Sequence, residues 1–488
     1  MLVSTRDKLE KEYKSSDAII MGLAPDGGLF IKKELPRFSL DDLKEIKDLN
    51  YYDLATLIIT KFLDDVSKEE ISKLIKEAYI NNFDIDDCVK LHKTKDAFVL
   101  ELFHGPTCAF KDMALLVLPK LVKLSHEQNN DNKNTIILTA TSGDTGSSAL
   151  NGFKDDANTK MIVFYPTNGV SRIQERQMLS LASTKNRVIA SDGNFDDCQN
   201  LVKKIFNENK KYNLSSANSI NIGRLLPQIV YYFKAYFDLV NAGEIKLGDK
   251  INYSVPTGNF GDILGGYLAL KIGLPINKLI CASNDNNVLT DFFNTRIYNK
   301  NRILHKTISP SMDILISSNL ERLLYYVTGN AEYVKELMDE LKEKGSYKLD
   351  KKYDLSNFSG YYLNEEETKK IIRKVYEDNN YLIDTHTAVS FGSYLKYKEE
   401  TADSTKTVVL STAHPYKFPI AILSALGETE ADEFKADEFE VIEKLVNKTE
   451  IKKPSMIEKL NKEYEKTVWS KEEAVKKTLE LIEELSNV

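Results

Sequence analysis

Three segments bring together side chains that could bind anions or supply a nucleophile. Ala140-Thr141-Ser142-Gly143-Asp144-Thr145-Gly146-Ser147-Ser148 follows a β-branched run starting at Thr135 and leads into a helical pattern at Ala149-Leu150. A strand-to-helix turn of this kind aims unpaired N–H groups and hydroxyls at one point, where hydrogen bonding and the helix dipole favour an anion. An ordinary serine/threonine helix cap has the same composition. Val255-Pro256-Thr257-Gly258-Asn259-Phe260-Gly261-Asp262 repeats the construction ahead of Ile263-Leu264-Gly265-Gly266. Gly258 and Gly261 bracket Asn259 and Phe260, so backbone amides could approach a phosphate closely. No Gly-Lys-Ser/Thr ending follows, which argues against a nucleotide P-loop and suits the phosphate of a tightly held cofactor.

The third segment, Phe103-His104-Gly105-Pro106-Thr107-Cys108-Ala109-Phe110-Lys111-Asp112, opens the apolar stretch Met113 to Leu118. Lysine is seldom buried unless paired or functional. Burial would lower its pKa and leave a neutral amine able to form a Schiff base. A lysine snorkelling from a helix end would look the same in isolation.

Such loops need a scaffold, and the hydrophobic pattern supplies one. Short β-branched or apolar runs at Phe98 to Leu102, Thr135 to Thr139, Met161 to Tyr165, Val188 to Ala190, Ile251 to Val255, Leu279 to Ala282 and Val408 to Leu410 alternate with amphipathic helices. This predicts an α/β fold with mainly parallel sheets covered on both faces and ligand sites outside the strands' carboxyl ends. Residues 1–95 read as a mostly helical domain, with helices over Tyr51 to Leu63 and Ile71 to Tyr79 and a tight turn at Gly22 to Phe30. The expected division continues with a smaller α/β region at 96–245, a larger one at 246–430 and a helical layer at 431–488. In that last layer Leu460, Tyr464, Val468 and Val475 fall at helical intervals. The amide-rich segment Asn129 to Asn134 reads as a solvated loop.

At 488 residues, 42% of them hydrophobic and 28% charged, the chain can build more than one core and a deep cleft. Its net charge of -7 is spread over interleaved lysine and glutamate, so no basic face for nucleic acid is expected. Met1 to Ser16 lacks the apolar centre of a signal peptide and no run is long enough to span a bilayer, which predicts a cytoplasmic protein without a membrane partner. Cys88, Cys108, Cys198 and Cys281 show no paired spacing. His92, His104, His126, His305, His386 and His414 lack metal-ligand spacing and read as loop or structural histidines, so no metal is expected.

Five motifs in order, His104 to Asp112, Ser142 to Gly146, Asn218-Ser219-Ile220-Asn221-Ile222-Gly223-Arg224, Gly258 to Asp262 and Thr412-Ala413-His414-Pro415, resemble the threonine synthases. The Gly22 to Phe30 cluster resembles that family's N-terminal motif, so the resemblance spans nearly the whole chain and is closest to the long fungal and enterobacterial form. It implies the tryptophan-synthase-β-like arrangement (fold type II) of two α/β domains around pyridoxal phosphate. By similarity Lys111 would carry the cofactor as a Schiff base and Gly258, Asn259, Phe260, Gly261 and Asp262 would cup its phosphate. Thr412 would face the pyridine nitrogen. Thr141, Ser142 and Thr145 would hold the substrate carboxylate, while Asn218, Ser219 and Arg224 would hold its phosphate. Taken without the resemblance, Arg224 reads as a surface charge.

Asp144 departs from the pattern of related enzymes, which often place asparagine beside the cofactor's ring oxygen; a carboxylate there should repel that oxygen unless a proton is shared. The implied reaction converts O-phosphohomoserine and water into threonine and phosphate, in a monomer or homodimer. A dehydratase or phospho-lyase of the same fold would share Lys111 and the phosphate cup, and a retired binding protein would share the fold alone.

Overall fold

The computed structural model describes residues 1–130, 134–156, 158–167, 169–209, 211–428 and 437–486. Two main sheets form the core of the fold. The larger runs Phe358–Tyr362, Ile276–Ser283, Ile251–Pro256, Thr407–Ser411, Phe98–Glu101, Lys90–Lys93, and every neighbouring pair is parallel except the last. The smaller is wholly parallel, in the order Thr467–Trp469, Asn186–Ser191, Thr159–Pro166, Thr135–Ala140, Leu214–Ser215. Every residue of Thr135–Ala140, Thr159–Pro166 and Ile251–Pro256 is buried, as strands covered on both faces require. All seven expected strands are present.

Helices begin where side chains can cap them. In the N-terminal layer Asn50 accepts from the Asp53 N–H, and Ser67 with Glu70 closes a capping box, so the helices run Tyr51–Thr60 and Lys68–Tyr79. The layer is mostly helical, with a two-residue ribbon pairing Val3–Ser4 and Phe30–Ile31. The Gly22 to Phe30 turn packs closely on that ribbon: a Cβ on Gly28 would lie 2.3 Å from Ser4 Oγ.

Strand pairing joins residues from different expected regions. Phe98–Glu101 pairs with Thr407–Ser411 in the larger sheet, so the Lys111 segment leaves the larger sheet and does not belong to the 96–245 region's own sheet. Lys90–Lys93, inside the expected helical domain, forms that sheet's antiparallel edge. Residues 460–475 are not one helix: Val468 lies in Thr467–Trp469, which fills the open edge beside Asn186–Ser191, and Val475 lies in Lys471–Ser486. An unpaired edge satisfies its backbone groups by recruiting such a strand, and spacing alone does not show that demand. Phe358–Tyr362 is a further strand, with Gly360 where a Cβ would meet Thr290 Cα at 2.9 Å. Residues 131–133 of the amide-rich segment lie outside the described residues. All four cysteines are buried and free. Among the described residues no helix is long and apolar enough to cross a membrane.

Candidate active site

Backbone pairing between two distant loops places Lys111. Phe110 N donates to Thr412 O at 2.8 Å, His414 N donates to Cys108 O at 3.1 Å, and Ala109 bridges Ala413. Thr412 and Lys111 are therefore adjacent because their parent strands, Thr407–Ser411 and Phe98–Glu101, are neighbours. Asp112 closes the loop behind them, accepting from Thr107 N and Thr107 Oγ1, each at 2.7 Å. Gly105 must lack a side chain, since its Cβ would come within 2.6 Å of Asp112 Oδ2. At the entry to the loop His104 lies 2.7 Å from Asp84 and 2.9 Å from Glu101.

The Lys111 side chain is 12% exposed, with Nζ 3.5 Å from Ser311 Oγ and 3.8 Å from Asp144 Oδ2. Burial pushes its pKa down to about 8; Asp144 opposes the shift, while Arg224 and Lys417 add to it. A neutral amine is thus accessible near physiological pH. Ser311 is itself placed by His386 Nε2, which accepts the Ser311 N–H at 3.2 Å, while His386 Nδ1 lies 2.8 Å from Asp384 Oδ2.

In the first turn Thr141 Oγ1 accepts from Gly143 N at 3.0 Å and Gly146 N at 2.9 Å. The hydroxyl hydrogen of Thr141 stays available for another acceptor. Ser142 and Thr145 are half-buried at its rim. Gly143 has φ +123, and a Cβ there would lie 2.4 Å from Gln174 Cδ. Asp144, 3% exposed, pairs with Lys417 at 2.7 Å and accepts from Gln174 Nε2 at 2.8 Å, which holds its carboxyl well below the usual range despite burial. Lys417 and Gln174 thus give the buried carboxylate partners that the sequence did not reveal.

The second turn ends with Phe260 in the left-handed region at φ +62, and no side chain caps the helix Gly261–Lys271 that follows. Its first amides therefore lack the side-chain acceptor that Asn50 and Ser67 give to their helices. A Cβ on Gly258 would lie 2.8 Å from Ser311 O, so bare backbone lines the turn. Asn319 N and Nδ2 donate to Asn259 O at 3.0 and 3.1 Å. Asp262 points back onto Tyr231 and Tyr232 at 2.6 and 2.8 Å, and burial raises its carboxyl to about 6. An uncapped helix start lined by bare backbone, beside a buried amine, fits a cofactor that presents one phosphate and one aldehyde.

The third loop carries Asn218, Ser219 and Arg224, and brings Arg224 within electrostatic reach of Lys111. Ser219 Oγ lies 3.5 Å from Ser318 Oγ. Arg224 is buried rather than a surface charge: Nη1 donates to Ala217 O at 2.9 Å, Nε is buried without a partner, and no salt bridge reaches it among the described residues. Desolvation lowers it to about 10. An arginine held so awaits an anion.

Sequence reasoning missed Lys417, Gln174, Ser311, His386, Asn319 and Arg322. The one signal was Asp144, a carboxylate where related enzymes often have asparagine. Lys417 lies two residues beyond the Thr412 to Pro415 motif.

Residues 1–79 match the family described as threonine synthase N terminus, residues 88–413 the pyridoxal-phosphate dependent enzymes, and residues 387–477 the threonine synthase C-terminal family. The threonine synthase of Saccharomyces cerevisiae is 36% identical over 89% of this chain and 90% of its own length. That of Pseudomonas aeruginosa is 39% identical over 85% of this chain and 88% of its own. The crystal structure of a PLP-bound threonine synthase from Brucella melitensis aligns over 100% of this chain and 99% of that one, with a TM-score of 0.86 at 36% identity.

Proposed function

Since the chain belongs to the threonine synthase family of pyridoxal-phosphate enzymes, we propose that it converts O-phosphohomoserine and water into threonine and inorganic phosphate in the cleft around Lys111. The observation that carries this substrate is Arg224, buried, unpaired at Nε and close enough to Lys111 to depress its pKa. A dehydratase acting on a plain hydroxy-amino acid needs anion sites for the cofactor phosphate and the substrate carboxylate alone, and has no use for a third. A substrate that carries a leaving phosphate does.

In this reading Gly258, Asn259, Phe260, Gly261 and Asp262 would hold the cofactor phosphate on the uncapped helix start, while Thr412 would serve its ring nitrogen and Asp144 its ring oxygen. Bound there, pyridoxal phosphate supplies an aldehyde for Lys111 and a ring that delocalises the electron pair left by a departing proton. Lys111 Nζ takes the proton from the substrate Cα and then moves one at Cβ. Thr141, Ser142 and Thr145 orient the substrate carboxylate. Asn218, Ser219 and Arg224 hold the phosphate as it leaves Cγ, and charge-assisted hydrogen bonds from Arg224 favour its departure as an anion. Protons are then returned at Cγ and Cα and water adds its hydroxyl at Cβ, its remaining hydrogen leaving with the phosphate.

Product analysis after adding O-phosphohomoserine to the holoenzyme tests the reading. Threonine and phosphate in equal amounts are expected; ammonia with 2-oxobutyrate would instead identify a phospho-lyase.

A further inference from the structure

Lys417 has no exposed side-chain surface. Its Nζ is 2.7 Å from Asp144 Oδ1 and 2.8 Å from the carbonyl oxygen of Thr107. Gln174 Nε2 donates to the same Asp144 Oδ1 at 2.8 Å, and Gln174 itself closes a capping box with Ser171. The other carboxylate oxygen, Oδ2, is the one 3.8 Å from Lys111 Nζ. One carboxylate therefore sits between two lysines, with one oxygen committed to Lys417 and Gln174 and the other facing the reactive amine.

Desolvating an ammonium and a carboxylate costs several kcal/mol per ion, and apolar side chains of similar volume often hold a fold as well or better. Stability alone is a poor reason for this pair. Its direction suggests a better one. Resting on the reading that Lys111 is the reactive amine, we propose that Asp144 and Lys417 are an opposed pair of charges that together set that nitrogen's affinity for a proton: Asp144 Oδ2 faces it and favours its protonated form, while Lys417, held on Oδ1, offsets that pull. The charged groups that act on Lys111 are Asp144, Arg224, Lys417 and Asp112, with Asp262 also in electrostatic reach. Within this set Asp144 and Lys417 act in opposite senses, so their removal has opposite consequences. An asparagine in place of Asp144 could hydrogen-bond to a neighbouring oxygen, but it could not favour the protonated nitrogen.

The test follows the Lys111 nitrogen itself. In the full-length protein before cofactor is added, the pH dependence of trace acetylation at Lys111, read by peptide mass spectrometry, gives the titration midpoint of Nζ. In the holoenzyme, visible absorbance against pH follows the same nitrogen. Lys417→Met is expected to raise the midpoint by about one pH unit and Asp144→Asn to lower it by about as much. The double variant should return near the parent value, and Lys417→Arg should stay close to it. Midpoints that stay put, or that move the same way in both single variants, would overturn the proposal. Should Lys417→Met fail to fold, Lys417→Gln, which keeps a donor toward Asp144 and loses the charge, decides the matter by the same criterion. Borohydride reduction of the holoenzyme separates the two readings: a cofactor adduct on another lysine overturns the role of Lys111, whereas unmoved midpoints with the adduct on Lys111 overturn only the role of Lys417.

Discussion

Arg322 donates from Nε to the carbonyl oxygen of Phe30 at 3.0 Å, joining the N-terminal layer to the wall of the cleft. The same fully buried guanidinium donates from Nη2 to Ile220 O at 2.6 Å, inside the loop that carries Asn218 and Arg224, and from Nη1 to Asn319 Oδ1. Asn319 in turn holds Asn259. Three segments far apart in the chain share one cation, and Asn221 adds a second tie by donating to Ile19 O at 2.9 Å. The Gly22 to Phe30 cluster is thus a structural support for the anion loops, more than a tight turn.

Replacing Arg322 with Gln is expected to remove the donors to Phe30 and Ile220 and to destabilise the protein by about 1–3 kcal/mol for each carbonyl left unpaired. Urea unfolding monitored by circular dichroism measures the loss. A midpoint equal to that of the parent protein would contradict the bridging role.

Lys111→Ala should abolish borohydride trapping of the cofactor on residue 111 and lower turnover roughly 10³-fold or more, because both the covalent anchor and the proton carrier are lost. Normal turnover in this variant would remove the amine from the mechanism.

For Arg224→Ala the expected effect is on the substrate and not on the cofactor. Loss of a charge-assisted hydrogen bond of about 1.5–3 kcal/mol corresponds to roughly 10- to 150-fold weaker binding of the phosphate group. KM for O-phosphohomoserine and inhibition by inorganic phosphate should weaken together, while cofactor affinity, followed by absorbance titration, should hold. A variant that lost cofactor and kept phosphate inhibition would reassign Arg224 to the cofactor.

His104 offers a pH signature. Burial alone would lower its pKa, but Asp84 and Glu101 together raise it to about 9 from an ordinary 6.5. A raised folded-state value means that the charged ring stabilises fully below about 6.5 and that this contribution disappears as the pH climbs through about 9. The stability difference between the parent protein and His104→Gln, measured by urea unfolding across that window, should therefore shrink with rising pH. A difference that grew or stayed level would count against the ion pairs.

The order of strands and helices, the two glycine-bearing strand-to-helix turns and the lysine opening an apolar segment were all legible in the residues, since each depends on neighbours a few positions away. Gly143 and Phe260 mark turns through backbone conformation, and Asn50 and Ser67 mark helix starts through their own side chains. Such features act locally, so a linear reading finds them.

Tertiary structure alone decided which sheet owns Phe98–Glu101, which edge Thr467–Trp469 fills, and which cation meets Asp144. Arg224 looked like any exposed arginine until folding buried it, and Lys417 looked like one more lysine in a lysine-rich chain. The reason is electrostatic. A charge interacts strongly only where water has been excluded and a partner is within a few ångströms, and both conditions are set by segments that meet in space after being distant along the chain.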